Sequence, residues 1–557
     1  MAPPPPPPFL LLLLLAVAAS LAGADDPYRY FTWTVAYGPI TPLGTTQQGI
    51  LINGQFPGPR IDCVTNDNLV VTVINALDEP FLLTWNGIKQ RKNSWQDGVA
   101  GTNCAIPPRG GNYTYHFQTK DQIGTFFYFP SLALHRAAGG FGALNVYQRP
   151  AIPVPYPPPA GDFTLLVGDW YAAASPHADL RNALDATGAL PPPDALLING
   201  APSGNTFVGN GGGTYLFRVS NVGLRASVNV RIQGHALRLV EVEGTHPVQN
   251  VYDSLDVHAG QSLAFLVTLD QPPLDYAVVA STRFTATNEL NAVATLHYAG
   301  ATARAPGPLP PPPAAAGPFD DYGWSLNQAR SFRWNLTASA ARPNPQGSFH
   351  YGAIPTSRTL VLASSSSAPV DVAGGGPRRC AVNGVSFVVP DTPLKLADNY
   401  NIADVIDWDT LPARPDAAGA GAAPRAGTPV LRLGLHEFVE VVFQNTEDDL
   451  QSWHLDGYDF WVVGYGDGQW NETQRQTYNL VDAQARHTVQ VYPNGWSAIL
   501  VSLDNQGMWN LRSAIWDRQY LGQQLYLRVW TPEQSFSNEY AIPTDAILCG
   551  KAAGLPH

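Results

Sequence analysis

The residues most suggestive of chemistry are His454, Asp456 and Asp459, packed into Trp453-His-Leu-Asp-Gly-Tyr-Asp459. A hydrolase would add a serine or cysteine nucleophile to such a group. No spacing defines one, and there is no Gly-x-Ser-x-Gly elbow. A metal centre on β-structure calls for His-x-His on one strand face, or a tight Cys/His loop. Neither is present. The closest histidine pairs are His235/His246 and His246/His258, eleven and twelve residues apart, and no histidine lies within a few residues of a cysteine. Soft sulfur ligands are scarce, with four Cys and two Met, Met1 and Met508. The carboxylates Glu447-Asp448-Asp449 read as a solvated turn rather than a glycosidase pair. Trp453, Trp461, Trp470, Trp496 and Trp509 crowd the same region and read chiefly as core, with sugar-stacking platforms as the alternative.

The elements that must position these residues are strands, and they come in three copies. Leu51-Ile-Asn-Gly54 recurs as Leu197-Ile-Asn-Gly200 and, more loosely, as Ala381-Val-Asn-Gly384. Each is followed by a period-2 strand ending in Asn (Asn75, Asn221, Asn445) and then by a Gly (Gly87, Gly234, Gly457). Helical periodicity is confined to Ser175 to Leu190. Pro-rich joints at Pro150 to Pro159 and Ala301 to Pro318 separate the copies, and Pro412 to Pro429 reads as an exposed loop. The architecture expected is all-β: three tandem antiparallel sandwiches or barrels. They span residues 25–150, 151–300 and 349–550, with a linker at 301–348 and a tail at 551–557. Length and composition agree: 557 residues, 45% hydrophobic, 14% charged, with 51 Gly and 51 Pro.

A formal charge of −12 argues against nucleic acid and anionic membranes as partners. The apolar run Phe9 to Leu21, followed by Ala22-Gly-Ala24, reads as a secretory signal cleaved after Ala24, although Pro3 to Pro8 replace the usual basic segment. No later stretch suits a membrane span, and no hydrophobic tail marks a GPI anchor. Secretion makes Asn112, Asn335 and Asn471 candidate glycan acceptors. It also favours disulfides among Cys63, Cys104, Cys380 and Cys549, for which three pairings are open.

Longer strings carry a resemblance. Thr84-Trp-Asn-Gly-Ile-Lys-Gln90 with Ser94-Trp-Gln-Asp-Gly98, Gly124-Thr-Phe-Phe-Tyr-Phe129, Gln451-Ser-Trp-His-Leu-Asp-Gly457 and Gly507-Met-Trp-Asn-Leu-Arg512 resemble the four copper-binding segments of multicopper oxidases of the ascorbate oxidase type. Asp169-Trp170, Ser325-Leu-Asn-Gln328, the run Phe332 to Gly347 and His487-Thr-Val-Gln-Val-Tyr492 resemble atypical plant members: the skewed-growth, monocopper oxidase-like proteins and the pollen-specific L-ascorbate oxidase homologues. Carried across position by position, the first His-x-His falls on Thr84 and Asn86 and the second on Phe129 and Ser131. In the third segment the ligand positions are Gln451, His454 and Asp456. The His-Cys-His core falls on Arg512, Ser513 and Ala514, the remaining type 1 histidine on Arg518 and the axial methionine on Gln523. Only His454 keeps its ligand type. The resemblance therefore implies no copper cofactor, or at most a single weakly bound ion at His454 and Asp456, and a hydrogen-bonded or ionic core in its place. It also implies that the three sandwiches or barrels are cupredoxin-like, in the multicopper oxidase architecture, and that Cys104 and Cys549 are bonded; Cys63 and Cys380 match no pair of that family and are left as expected partners of each other. The function implied is that of a secreted, non-catalytic wall-space protein in directional cell expansion or pollen tube growth, binding a wall polysaccharide or an extracellular protein. The alternatives are a copper-dependent oxidoreductase resembling L-ascorbate oxidase, or a polysaccharide-binding module acting through exposed Trp.

Overall fold

A computed structural model describes residues 26–150, 153–285, 289–313, 322–336, 350–369, 378–415, 423–533 and 539–557. The expected signal segment, at residues 1–24, lies outside them. The strands form three sandwiches, each of two sheets. In the first, Gln47–Ile52, Tyr28–Ile40, Asn68–Asn75 and Gly111–Gln118 face Ile61–Val64, Gly142–Tyr147, Gly124–Pro130 and Leu83–Asn86. Separate hydrophobic cores fill the three sandwiches, and a further cluster containing Phe129, Trp170, Leu184, Cys380 and Trp516 joins them.

The sequence repeat has a direct structural cause. Asn53, Asn199 and Asn383 sit at φ 50, 47 and 46°, each followed by a glycine at φ 72, 84 and 77°. Two successive left-handed residues make a type I′ turn, for which Asn-Gly is the favoured pair. Each of these side chains then grips the neighbouring strand in the same way. The Nδ2 atoms donate to Thr32, Thr164 and Val361 carbonyls, while the Oδ1 atoms accept from Thr34, Leu166 and Ala363 amides, all at 2.7–3.0 Å. The strand-ending asparagines also agree. Asn75, Asn221 and Asn445 are fully buried, and each Oδ1 takes the N–H two residues on at 3.0–3.1 Å. Asn221 Nδ2 also donates to the Ala226 and Val257 carbonyls at 2.8 and 2.9 Å. Asn221→Ala would leave these three buried backbone groups unpaired, so it is expected to cost about 2 kcal/mol, read from urea unfolding. A loss within error would remove the anchoring role.

The sandwiches are mixed rather than purely antiparallel. Each copy has parallel pairings among its described residues: Tyr28–Ile40 with Asn68–Asn75 and Ile61–Val64 with Gly142–Tyr147 in the first, Gly161–Trp170 with Thr214–Asn221 and Ser203–Gly209 with Asn291–Tyr298 in the second, and, in the third, Arg358–Pro369 with Phe438–Gln444 and Pro429–Gly434 with Gln524–Trp530, joined by the short pairs Val385–Phe387 with Arg425–Gly427 and Asp407–Trp408 with Pro429–Gly434. Parallel neighbours need a long crossover, and here the chain visits the opposite sheet between them. Part of the stretch read as an exposed loop is also ordered, since Arg425–Gly427 adds an edge strand beside Val385–Phe387. The helix expected near Ser175 spans Pro176–Thr187. No helix among the described residues is long and apolar enough to cross a membrane.

Cys104 and Cys549 form a disulfide across 445 residues. The expected Cys63–Cys380 bond does not form, and both thiols are free and buried. Cys63 points into the first core and Cys380 into the joining cluster beside Leu521, so two separate hydrophobic environments hold them. Asn112 and Asn471 are exposed and Asn335 is half-buried; Thr337 of the Asn335 motif lies outside the described residues.

Candidate functional site

Strand register gathers the scattered positions. Gln451–Leu455 lies between Thr488–Val491 and Gly507–Ser513, which places His454 opposite both Thr488 and Arg512, and Trp453 opposite Ser513. The first sandwich contributes Leu83–Asn86 and Gly124–Pro130, where Thr84 pairs with Phe129. His454 Nδ1 lies 2.8 Å from Thr488 Oγ1, and its Nε2 lies 3.0 Å from Asp456 Oδ1. The other Asp456 oxygen accepts from Arg512 Nη1. Burial, reinforced by the Arg512 charge, drives the His454 imidazole down to about 3. Burial would raise the Asp456 carboxyl, but Arg512 and the hydrogen bond with His454 together more than offset it and hold the group below its ordinary range. The result is a neutral imidazole beside a closed, buried ion pair.

Most of the other positions that the resemblance assigns to ligands also have partners. Thr84 Oγ1 donates to the Asp97 carbonyl at 2.8 Å, Asn86 Nδ2 to the Gly260 carbonyl at 3.1 Å, and Ser131 Oγ to the Gly98 carbonyl. Phe129 carries the Arg136 guanidinium 4.2 Å above its ring and meets Trp516 edge-on. The second group forms around Glu447, whose Oε2 accepts from Gln451 Nε2 at 3.2 Å and from Arg518 Nη1. Glu447 therefore turns inward, whereas Asp448 and Asp449 are exposed, so the solvated-turn reading fails for the first residue of the three. The Ser513 amide donates to the Gln523 carbonyl at 3.0 Å, and the Ala514 amide to that of Ser452 at 2.7 Å. Gln523 is fully buried with both amide atoms unpaired. Asp459 stands apart, paired to Lys89 Nζ at 2.7 Å.

Three participants escape a reading by motif. Burial, with Asp456 close by, raises the Asp97 carboxyl well above its ordinary range. The His487 ring lies 5.1 Å from that of His454, and a side chain at Gly87 would collide with its Nε2, so the first sandwich needs glycine there. Glu243 Oε2, from the second sandwich, accepts the His487 and Thr488 amides at 2.7 and 2.9 Å. All three sandwiches thus meet at this point. The signal available was the string His487 to Tyr492; nothing in its spacing aims it at His454. The five tryptophans are 0–6% exposed, which excludes them as surface sugar platforms.

Multicopper oxidase family models match residues 34–151, 161–301 and 391–535. An L-ascorbate oxidase homolog of Nicotiana tabacum is 50% identical, covering 96% of this chain and 95% of its own. The chain belongs to the multicopper oxidase family, among its plant L-ascorbate oxidase homologues. The monocopper oxidase-like protein SKU5 of Arabidopsis thaliana is 48% identical, over 97% of this chain and 92% of that protein. The laccase of Botrytis aclada shares the fold, with a TM-score of 0.74 at 22% identity over 90% and 88% of the two chains.

Membership of a copper oxidase family raises the question of fit. Among the described residues no group of three or more His, Cys, Asp and Glu side chains is arranged to hold a metal. Arg512 places a fixed positive charge against Asp456, and both ring nitrogens of His454 are committed to Thr488 and Asp456. A guanidinium is a donor only, and a serine hydroxyl at 513 supplies no thiolate, so this set does not fit a copper cluster.

Proposed function

We propose that this multicopper oxidase homologue is a secreted, non-catalytic wall-space protein that supports directional cell expansion or pollen tube growth by binding. The observation that carries this reading is the Arg512–Asp456–His454 chain, which closes the position where a copper relative needs converging imidazoles. The names of the relatives support the family placement; the absence of catalysis rests on the chemistry of the substituted positions. Such a core does the work of a scaffold by locking three sandwiches together through buried polar contacts. The test is metal analysis of the purified mature protein, with visible absorption and oxygen uptake on ascorbate. Far less than one copper per chain, no blue band and no oxygen uptake are expected. Several coppers per chain with a blue band would instead establish a copper-dependent oxidoreductase resembling L-ascorbate oxidase.

A further inference from the structure

We infer that a groove on the outer face of the first sandwich binds an acidic, carboxylate-bearing sugar chain. The face follows from strand register. Tyr28 pairs with Asn68 and Asn68 with Gln118; two residues on, Tyr30 pairs with Val70 and Val70 with His116. The two-residue period turns these rungs toward solvent. A groove of about 560 Å³ is lined by this face and by the segment Gln90 to Asn93, against which Asp504 and Tyr540 pack through Arg91 and the Lys92 carbonyl. That lies within the ~300–1,000 Å³ of small-ligand clefts.

Three features fit one ligand class. The first is charge. The chain as a whole is strongly acidic, yet Arg91, Lys92 and Lys120 line this groove against only Asp121 and Asp504. Arg91 donates to Asp504 Oδ2 at 2.9 Å, and among the described residues no ion pair engages Lys92 or Lys120. The second is aromatic surface. Tyr28 and Tyr540, both lining the groove, are 61% and 52% exposed, and Tyr30 stacks on Tyr28 with centroids 6.2 Å apart. Flat phenol faces accept the C–H faces of sugar rings, while their hydroxyls stay in water. The third is an unpaired amide. Gln90 lines the groove and is 1% exposed, and neither its Oε1 nor its Nε2 has a hydrogen-bond partner. A buried amide left so is costly, and turning it into the groove toward a ligand hydroxyl would satisfy it. Free ammonium groups, aromatic faces and a buried amide together match a polyhydroxylated chain carrying carboxylates.

This assignment names a ligand for the binding role proposed above and rests on that reading. The probe is a set of short galacturonic acid oligomers, titrated calorimetrically into the full mature chain in a chelator-containing buffer near physiological ionic strength. Binding is expected. The double variant Lys92→Gln, Lys120→Gln should weaken it about tenfold, because two charge contacts are lost. Tyr28→Ala should weaken it severalfold, and the methyl-esterified oligomer should bind poorly. All three side chains reach solvent, and an unchanged thermal midpoint would show that the variants fold. No binding, undiminished binding by the double variant, or equal affinity for polyglutamate would overturn the assignment. Any of these with negligible copper would sink the groove alone, whereas stoichiometric copper with oxygen uptake would sink the non-catalytic role whatever the groove binds.

Discussion

Arg512→Leu is expected to destabilise the protein by about 3–5 kcal/mol, because it leaves a buried carboxylate without its counter-charge. Arg512 is 2% exposed and Asp456 5% exposed, so water cannot replace the lost partner. Asp97 sharpens the effect: its buried carboxyl is already raised, partly by Asp456, with Arg512 acting against the rise. Removing the guanidinium would push Asp456 toward its neutral form and upset the contact with His454 Nε2. The penalty belongs to the broken pair and not to the absence of charge. A double variant, Arg512→Leu with Asp456→Leu, is therefore expected to recover much of the loss, since apolar replacement of a buried pair is commonly near neutral. Urea unfolding of the wild type, both single variants and the double variant closes the cycle. If the single substitutions cost less than about 1 kcal/mol, the pair is not the structural centre described above.

Stability should also depend on pH through buried imidazoles, and His258 isolates the effect. It is 2% exposed, its Nδ1 lies 2.8 Å from Ser227 Oγ, and burial, reinforced by Arg486 and Arg283, lowers it to about 3. The folded protein thus keeps this ring neutral while the unfolded chain protonates it below about pH 6.5. The unfolded state binds the extra proton, so stability conferred by the neutral ring is present above pH 6.5 and is lost as pH falls toward 3. The slope is about 1.4 kcal/mol per pH unit, or roughly 3 kcal/mol between pH 6.5 and 4. Buried Asp97 and Asp256 have raised carboxyls and act in the opposite direction on the whole curve. The informative quantity is therefore the difference between wild type and His258→Gln. Wild type should lose about 3 kcal/mol relative to the variant between those pH values, measured by urea titration at each pH. A difference independent of pH would show that His258 titrates normally in the fold.

The sequence by itself determined the threefold plan. Asn-Gly turns and strand-ending asparagines act on backbone groups a few residues away or on an adjacent strand, so Asn53, Asn199 and Asn383 repeat one hydrogen-bond pattern wherever the motif recurs. Through the resemblance it also put Arg512 and Ser513 at positions where copper relatives carry an imidazole and a thiolate, and that neither type can replace them follows from donor chemistry and needs no coordinates. Tertiary structure decided what such chemistry leaves open. The alternation of a strand is the same beside a parallel or an antiparallel neighbour, so the parallel pairings in each sandwich could not be read from it. Cys63 and Cys380 are each apolar enough to be buried, and only the path of the chain sends them into separate cores. Glu447 looks like its exposed neighbours until Gln451 and Arg518 arrive from a strand and a helix to claim it. His487 reaches His454 by register, and Glu243 reaches His487 by the docking of two sandwiches, contacts across 33 and 244 residues of chain that no local pattern encodes.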